Sequence, residues 1–128
     1  MNEYSEQLRE RLLDFSTKML QNLKRLPDSK EAQVIKYQLS KASTSIGANY
    51  WEALGAGTKR DFINKVQISL KEAYETQYWI ELIERIYPET TENWQNLASE
   101  CREIIAIFSK TLITSKENLA KSKPRTKK

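Results

Sequence analysis

Histidine is absent from this sequence, and cysteine occurs once, at Cys101. Without histidine, the chain lacks the commonest general base and the commonest metal ligand in proteins. Serine and cysteine nucleophiles usually depend on a histidine partner, and a single cysteine forms neither an internal disulfide nor a cysteine-rich metal site. We therefore predict that the protein is not an enzyme, has no catalytic residues and holds no cofactor.

Glycine, proline and long apolar runs are also scarce. The 128 residues include three glycines and three prolines, while 39% are apolar and 30% are charged. This composition is typical of one helical globular domain and excludes collagen-like and low-complexity chains. No apolar run approaches the ~20 residues of a membrane span, and the first residues lack the pattern of a signal peptide. We expect a cytoplasmic protein with no membrane partner.

Positive charge is distributed unevenly along the chain. The 21 basic and 17 acidic residues give a net charge of +4, but the last eight residues contain no acidic residue. The rest of the chain is therefore close to neutral. Attraction to phosphates then depends on a local patch or on the C-terminal segment, although such a segment also serves solubility alone. The basic residues of this segment are Lys121, Lys123, Arg125, Lys127 and Lys128.

Apolar residues recur at steps of three and four along four segments, as in amphipathic helices. Pro27, the glycines at 55 and 57, and Pro88 separate these segments. No segment shows the alternation of a half-buried strand, and short connections favour antiparallel neighbours. We predict an all-α, up-down-up-down four-helix bundle over residues 1–120 and a flexible basic tail over 121–128. The predicted helices run from about Tyr4 to Arg25, from Asp28 or Ser29 to Gly55, from Thr58 to about Tyr87, and from Thr90 or Thr91 to Ala120.

The third helix carries two apolar stripes, although a single bundle core covers only one. The first stripe suits the core and consists of Phe62, Val66, Ser69, Ala73, Thr76, Ile80, Ile83 and Tyr87. The second lies roughly 120° away, and the large aromatics Tyr50 and Trp51 also fall outside the core stripe of the second helix. We interpret these residues as the interface of a homo-oligomer, while a broad, well-buried helix is the alternative. The predicted interface comprises Tyr50, Trp51, Ile68, Trp79, Leu82 and Ile86.

Asn49 interrupts the core stripe predicted for the second helix, which also includes Ile46 and Ala53. A buried amide needs hydrogen-bond partners, so Asn49 either fixes the register of the helices or presents donors to a ligand. We favour the structural role. Cys101 lies on the core stripe of the fourth helix, where we expect a buried and unreactive thiol.

Carboxylates are frequent on the predicted helix faces, for example at Glu52, Asp61, Glu72 and Glu75. The di-iron site of helical bundles combines glutamates with histidines, so this chain cannot build it. An all-oxygen magnesium or calcium site is the remaining metal option, and it would suit a small metal-dependent hydrolase. Solvated helix faces and ion pairs explain these carboxylates more simply, and we predict no metal site.

One part of the chain resembles a known family. The strings EAQVIKYQLSKASTSIGANYWEA and FINKVQISLKEAYETQYWIELI, within about Leu26 to Tyr87, are similar to the bacterial four-helix-bundle family of proteins encoded in 23S rRNA intervening sequences. Relatives of this family resemble Avd, the accessory protein of diversity-generating retroelements. Avd forms a pentameric barrel that binds nucleic acid and a reverse transcriptase. The resemblance implies the bundle fold, a homo-oligomer, pentameric as in Avd, and RNA or a reverse transcriptase as partners.

The chain departs from this family at the end of the second helix. Relatives often have an arginine-rich stretch there, whereas this sequence continues from Trp51 to Gly57 without arginine. We therefore expect the tail to bind nucleic acid, with Lys59, Arg60 and Lys65 as the next candidates. The leading hypothesis is a non-enzymatic oligomeric accessory protein that engages RNA or a nucleoprotein. The alternative is a protein-interaction scaffold without nucleic-acid binding.

Overall fold

A computed structural model describes residues 2–122 of the chain and confirms the all-α four-helix bundle. Each helix packs against its neighbours in sequence, and α4 returns to α1. No strand occurs in this part of the chain. The predicted tail residues Lys123, Arg125, Lys127 and Lys128 lie outside the described residues. The helices are α1 (Glu3–Asn22), α2 (Lys30–Leu54), α3 (Lys59–Ile86) and α4 (Thr91–Ser122), with short 3-10 turns at Leu23–Arg25 and Pro88–Thr90.

Side chains cap the helices where the sequence predicts breaks. The Thr58 hydroxyl accepts a hydrogen bond from the Asp61 backbone N–H at 3.0 Å and starts α3 as expected. Ser29 caps α2. The Asp28 carboxylate instead accepts a hydrogen bond from the Lys36 ammonium at 3.3 Å, so Ser29 and not Asp28 caps the helix. These caps satisfy backbone donors that have no partner within the helix.

Small side chains bring the helices of the core close together. On α3, Ser69 is fully buried, and its hydroxyl donates to the Ile46 carbonyl of α2 at 2.9 Å. The Cys101 thiol of α4 donates to the Ala73 carbonyl of α3 at 3.3 Å. Cys101 is buried, as expected, and burial raises its pKa to about 12, which disfavours the reactive thiolate. The predicted core stripe of α3 is buried from Val66 to Ile83, and its two end residues are half-buried.

The end of α2 differs from the sequence prediction. Tyr50, expected on an outer interface, is 3% exposed, and its ring lies 5.7 Å from the ring of Phe108. Asn49, expected on the core stripe, is half-buried, and its amide donates to the Ser45 carbonyl of the same helix at 2.8 Å. The core stripe continues from Ile46 by a step of four to Tyr50, not by a step of three to Asn49. The predicted placements of Tyr50 on an outer interface and of Asn49 on the core stripe were therefore wrong.

Gly47 of α2 packs directly against α1. A Cβ atom at this position would lie 3.4 Å from the Leu12 Cβ atom of α1, and Gly47 is buried. The crossing leaves room for a hydrogen or, at most, a methyl group. The small residue therefore sets the distance between the first two helices.

An ion pair joins α1 to α4. The Arg11 guanidinium donates through Nε and Nη2 to both carboxylate oxygens of Glu100, with 2.7 Å between Nη2 and Oε1, and Nη2 also donates to Glu103 at 2.9 Å. These hydrogen bonds lower the pKa of Glu100 and raise that of Arg11. Two-point carboxylate recognition fixes the orientation of α1 as well as its position.

We predict that Gly47→Val destabilises the bundle, because the branched side chain would overlap Leu12. Overpacking of this kind costs about 1–3 kcal/mol. Chemical denaturation measures the change in the free energy of unfolding. The control is Ala48→Val on the neighbouring exposed position, which should leave that free energy nearly unchanged. Equal effects of the two substitutions would contradict the close crossing.

We predict that Arg11→Gln lowers the free energy of unfolding at neutral pH by about 1 kcal/mol. A bidentate ion pair that is partly exposed contributes about this much to stability. The pKa of Glu100 is lowered in the folded state, so the ion pair stabilises the fold fully at pH values above the usual carboxyl pKa. The difference between variant and parent should shrink as the pH falls through the folded-state pKa. Arg102→Gln on the exposed surface of α4 is the control. A difference independent of pH would argue against the pair.

Candidate functional site

The start of α3 and the end of α4 meet at one end of the bundle, because the two helices run antiparallel. A cleft of about 420 Å³ opens between them. Lys59 of α3 and Lys121 of α4 both line it, although they lie far apart in the sequence. We call this the basic cleft; its lining residues are Lys59, Phe62, Ser115, Asn118, Lys121 and Ser122.

Charges on α3 and α4 are segregated along the bundle. Residues 59–71 contain four basic residues and one acidic residue, whereas residues 72–86 contain the reverse. On α4, residues 91–106 contain three acidic residues and one basic residue, and residues 107–122 contain the reverse. Because the helices are antiparallel, both basic halves lie at the same end, which we call the basic end. The C-terminal segment after Ser122 also begins there.

The basic residues predicted to bind nucleic acid differ in their exposure and in their ion pairing. Lys59 and Arg60 are exposed in the first turn of α3. Lys65 is half-buried, and its ammonium lies 2.6 Å from a carboxylate oxygen of Glu52, so an ion pair already neutralises it. Lys121 is helical rather than part of a tail, since α4 continues two residues beyond the predicted end. Lys59 and Arg60 are thus exposed and form no ion pair with another described residue, whereas Lys65 is paired.

The second stripe of α3 is only partly exposed. Ile68 and Ile86 are 40% and 45% exposed, as large apolar residues at an interface would be in a free subunit. Trp79 and Leu82 are half-buried and pack against the core of their own subunit. The Trp79 indole also donates to Glu75 at 3.2 Å. This stripe therefore leaves two exposed isoleucines on its outer edge.

A further apolar groove, of about 370 Å³, lies between α1 and α2. Leu13, Leu20 and Trp51 are its large exposed residues, and Gly47 and Ala48 are among its small ones. The Arg9 guanidinium lies 3.9 Å from the centre of the Trp51 ring. The sequence analysis predicted an exposed Trp51 but did not identify the two leucines as exposed apolar residues. Their spacing of seven residues places them on one face of α1, but the charged residues around them made this pattern hard to recognise.

The carboxylates do not assemble into a metal site in the part of the chain that the structure describes, where no group of three or more ligand residues comes together. Glu72 is half-buried, and its pKa is raised by burial and, to a lesser degree, by the neighbouring Glu75. Glu52 is paired with Lys65. The buried serines serve the backbone, as Ser69 does for Ile46. None of the described helices combines the length and apolarity of a membrane span.

Comparisons with known proteins agree with this fold. The family model described as 23S rRNA-intervening sequence protein matches residues 7–110. A protein of unknown function from the S23 ribosomal protein family of Bacteroides thetaiotaomicron, solved at 1.70 Å resolution, has a similar structure with a TM-score of 0.75 and 35% sequence identity. The match covers 81% of this chain and 96% of that one. A search of the curated proteins gave no match. The chain therefore belongs to the 23S rRNA-intervening sequence protein family.

Proposed function

We propose that this protein is a non-enzymatic, homo-oligomeric accessory protein that binds RNA or a nucleoprotein through the basic end of its bundle. The observation that carries the proposal is the segregation of charge on α3 and α4. Lys59, Arg60 and Lys121 lie at the end from which the basic C-terminal segment continues. We propose that the basic residues of the body and of that segment bind phosphates together.

The opposite end of the α3–α4 pair strengthens this polarity. Its acidic residues repel phosphates, so an RNA strand is attracted to one end and oriented by the other. Contacts with phosphates release counterions and make the affinity strongly dependent on salt, without dependence on base sequence. The family description refers to 23S rRNA, and the structural neighbour belongs to a family named for a ribosomal protein. Both names support a role linked to RNA.

Self-association is the second part of the proposal. Ile68 and Ile86 remain exposed on α3, and apolar residues of this size are enriched at protein interfaces. An oligomer would multiply weak contacts of each subunit with RNA through avidity. The resemblance to Avd suggests a pentamer as the oligomer and a reverse transcriptase as one candidate nucleoprotein partner. The attraction of the basic end to phosphates depends on neither the pentamer nor the reverse transcriptase.

The alternative function is a protein-interaction scaffold that does not bind nucleic acid. The apolar groove between α1 and α2 favours it, since Leu13, Leu20 and Trp51 surround a floor of small residues. Such a groove suits the apolar face of a partner helix. In this alternative the basic C-terminal segment contributes only to solubility.

We predict that deleting residues 121–128 together with Lys59→Glu and Arg60→Glu abolishes RNA binding at low salt. Removing each phosphate-binding side chain should flatten the dependence of log affinity on log salt by about 0.7 for a single strand. Fluorescence anisotropy with a labelled RNA measures both quantities. The control carries the same deletion of residues 121–128 with Lys24→Glu and Arg25→Glu, so both variants have the same charge change and differ only in which end of the bundle is reversed. Equal losses in both variants would contradict a localised site, and no binding by the intact protein would favour the scaffold.

We predict that Ile68→Glu combined with Ile86→Glu dissociates the oligomer into subunits of 15.0 kDa, because two charges would enter an apolar interface. Light scattering measures the particle mass, and circular dichroism checks that the helices remain. Ile113→Glu, at an exposed position of α4, is the control and should leave the mass unchanged. A monomeric intact protein would refute self-association.

A further inference from the structure

We infer that the basic cleft holds an unpaired nucleotide, so that the protein prefers single-stranded RNA to duplex RNA. This inference rests on the proposed function, because it specifies which form of RNA the basic end binds. General attraction to phosphates does not favour single strands and would attract a duplex at least as strongly. The composition of the cleft wall supplies the distinction.

Phe62 provides an aromatic surface in the cleft. Its side chain is half-buried and packs against the hydrophobic core, so the ring is held in place before any ligand arrives. Aromatic rings stack on all four bases with little dependence on sequence, and this is a common means of binding single strands. The cleft volume of about 420 Å³ lies in the range of small-ligand sites. It therefore suits one base with its sugar.

Lysines from two different helices line the same cleft. Lys59 stands in the first turn of α3 and Lys121 in the last turn of α4. A phosphate beside the cleft is attracted by both ammonium groups, and the positive end of the α3 dipole adds to the attraction. The acidic residues nearest in sequence, Asp61 and Glu117, are not among the lining residues. Among the described residues that line the cleft, the charged ones are therefore all positive.

Polar groups form the remaining wall. Ser115, Asn118 and Ser122 follow one another at steps of three and four on α4, and so share one face of that helix. Hydroxyl and amide groups donate and accept hydrogen bonds, as the edges of bases and the ribose 2′-hydroxyl require. In a duplex, the bases are paired and stacked and cannot enter the cleft without being extruded. The cleft thus selects for unpaired nucleotides.

The test compares the binding of a short oligouridylate with that of an RNA duplex of equal length, using the intact chain and fluorescence anisotropy. The intact protein should bind the single strand more tightly than the duplex, and Phe62→Leu should weaken single-strand binding by about tenfold, as expected when one stacking ring is removed. Duplex binding should not change. Phe62→Tyr keeps the aromatic ring and should retain the preference.

A second pair of variants tests the cleft without altering the packing of Phe62. Asn118→Asp adds a negative charge to the cleft wall, whereas Asn64→Asp adds the same charge at an exposed position of α3 that does not line the cleft. Only Asn118→Asp should reduce the preference for single strands. Equal affinity of the intact protein for both RNAs, or no effect of Phe62→Leu and Asn118→Asp, would overturn the inference while leaving RNA binding intact. Absence of binding to either RNA would overturn the proposed function as well.

Discussion

Close antiparallel packing of α3 between α2 and α4 is the constraint on which the rest of the structure depends. Small buried residues make it possible, and the Ser69 hydroxyl and the Cys101 thiol satisfy carbonyls of the neighbouring helices at the points of contact. Reversing the direction of α4 relative to α3 would separate Lys59 from Lys121. The basic cleft is thus a consequence of the packing of the core, although no core residue belongs to it.

The same constraint converts a nearly neutral body into a polar one. Along the sequence, the four halves of α3 and α4 are in turn basic, acidic, acidic and basic, and their charges cancel. In the bundle, the two basic stretches lie side by side at one end, and the two acidic stretches lie at the other. A net charge summed over the body would miss this arrangement. Electrostatic steering depends on the local distribution of charge, and that distribution supports RNA binding.

The helices and most of the core could be predicted from the sequence, because amphipathic periodicity and capping residues are local signals. Thr58 and the stripe of α4 are examples. Tyr50 and Asn49 could not be assigned in this way, because steps of three and four both fit a helix and only packing against Phe108 decides between them. The ion pair of Lys65 with Glu52 also could not be predicted from the sequence, because it depends on how α2 and α3 face each other.

The candidate site was predicted only in part, for the same reason. Charge counting identified Lys59, Arg60 and Lys121, but Phe62 was assigned to the core stripe, and nothing local marks Asn118 as its neighbour. Ultraviolet crosslinking of bound RNA, followed by mass spectrometry of the crosslinked peptides, locates the RNA on the bundle. RNA bound at the basic end should give crosslinks within residues 59–62 and 115–122. Crosslinks confined to the opposite end of the bundle, around residues 23–36, would contradict binding at the basic end.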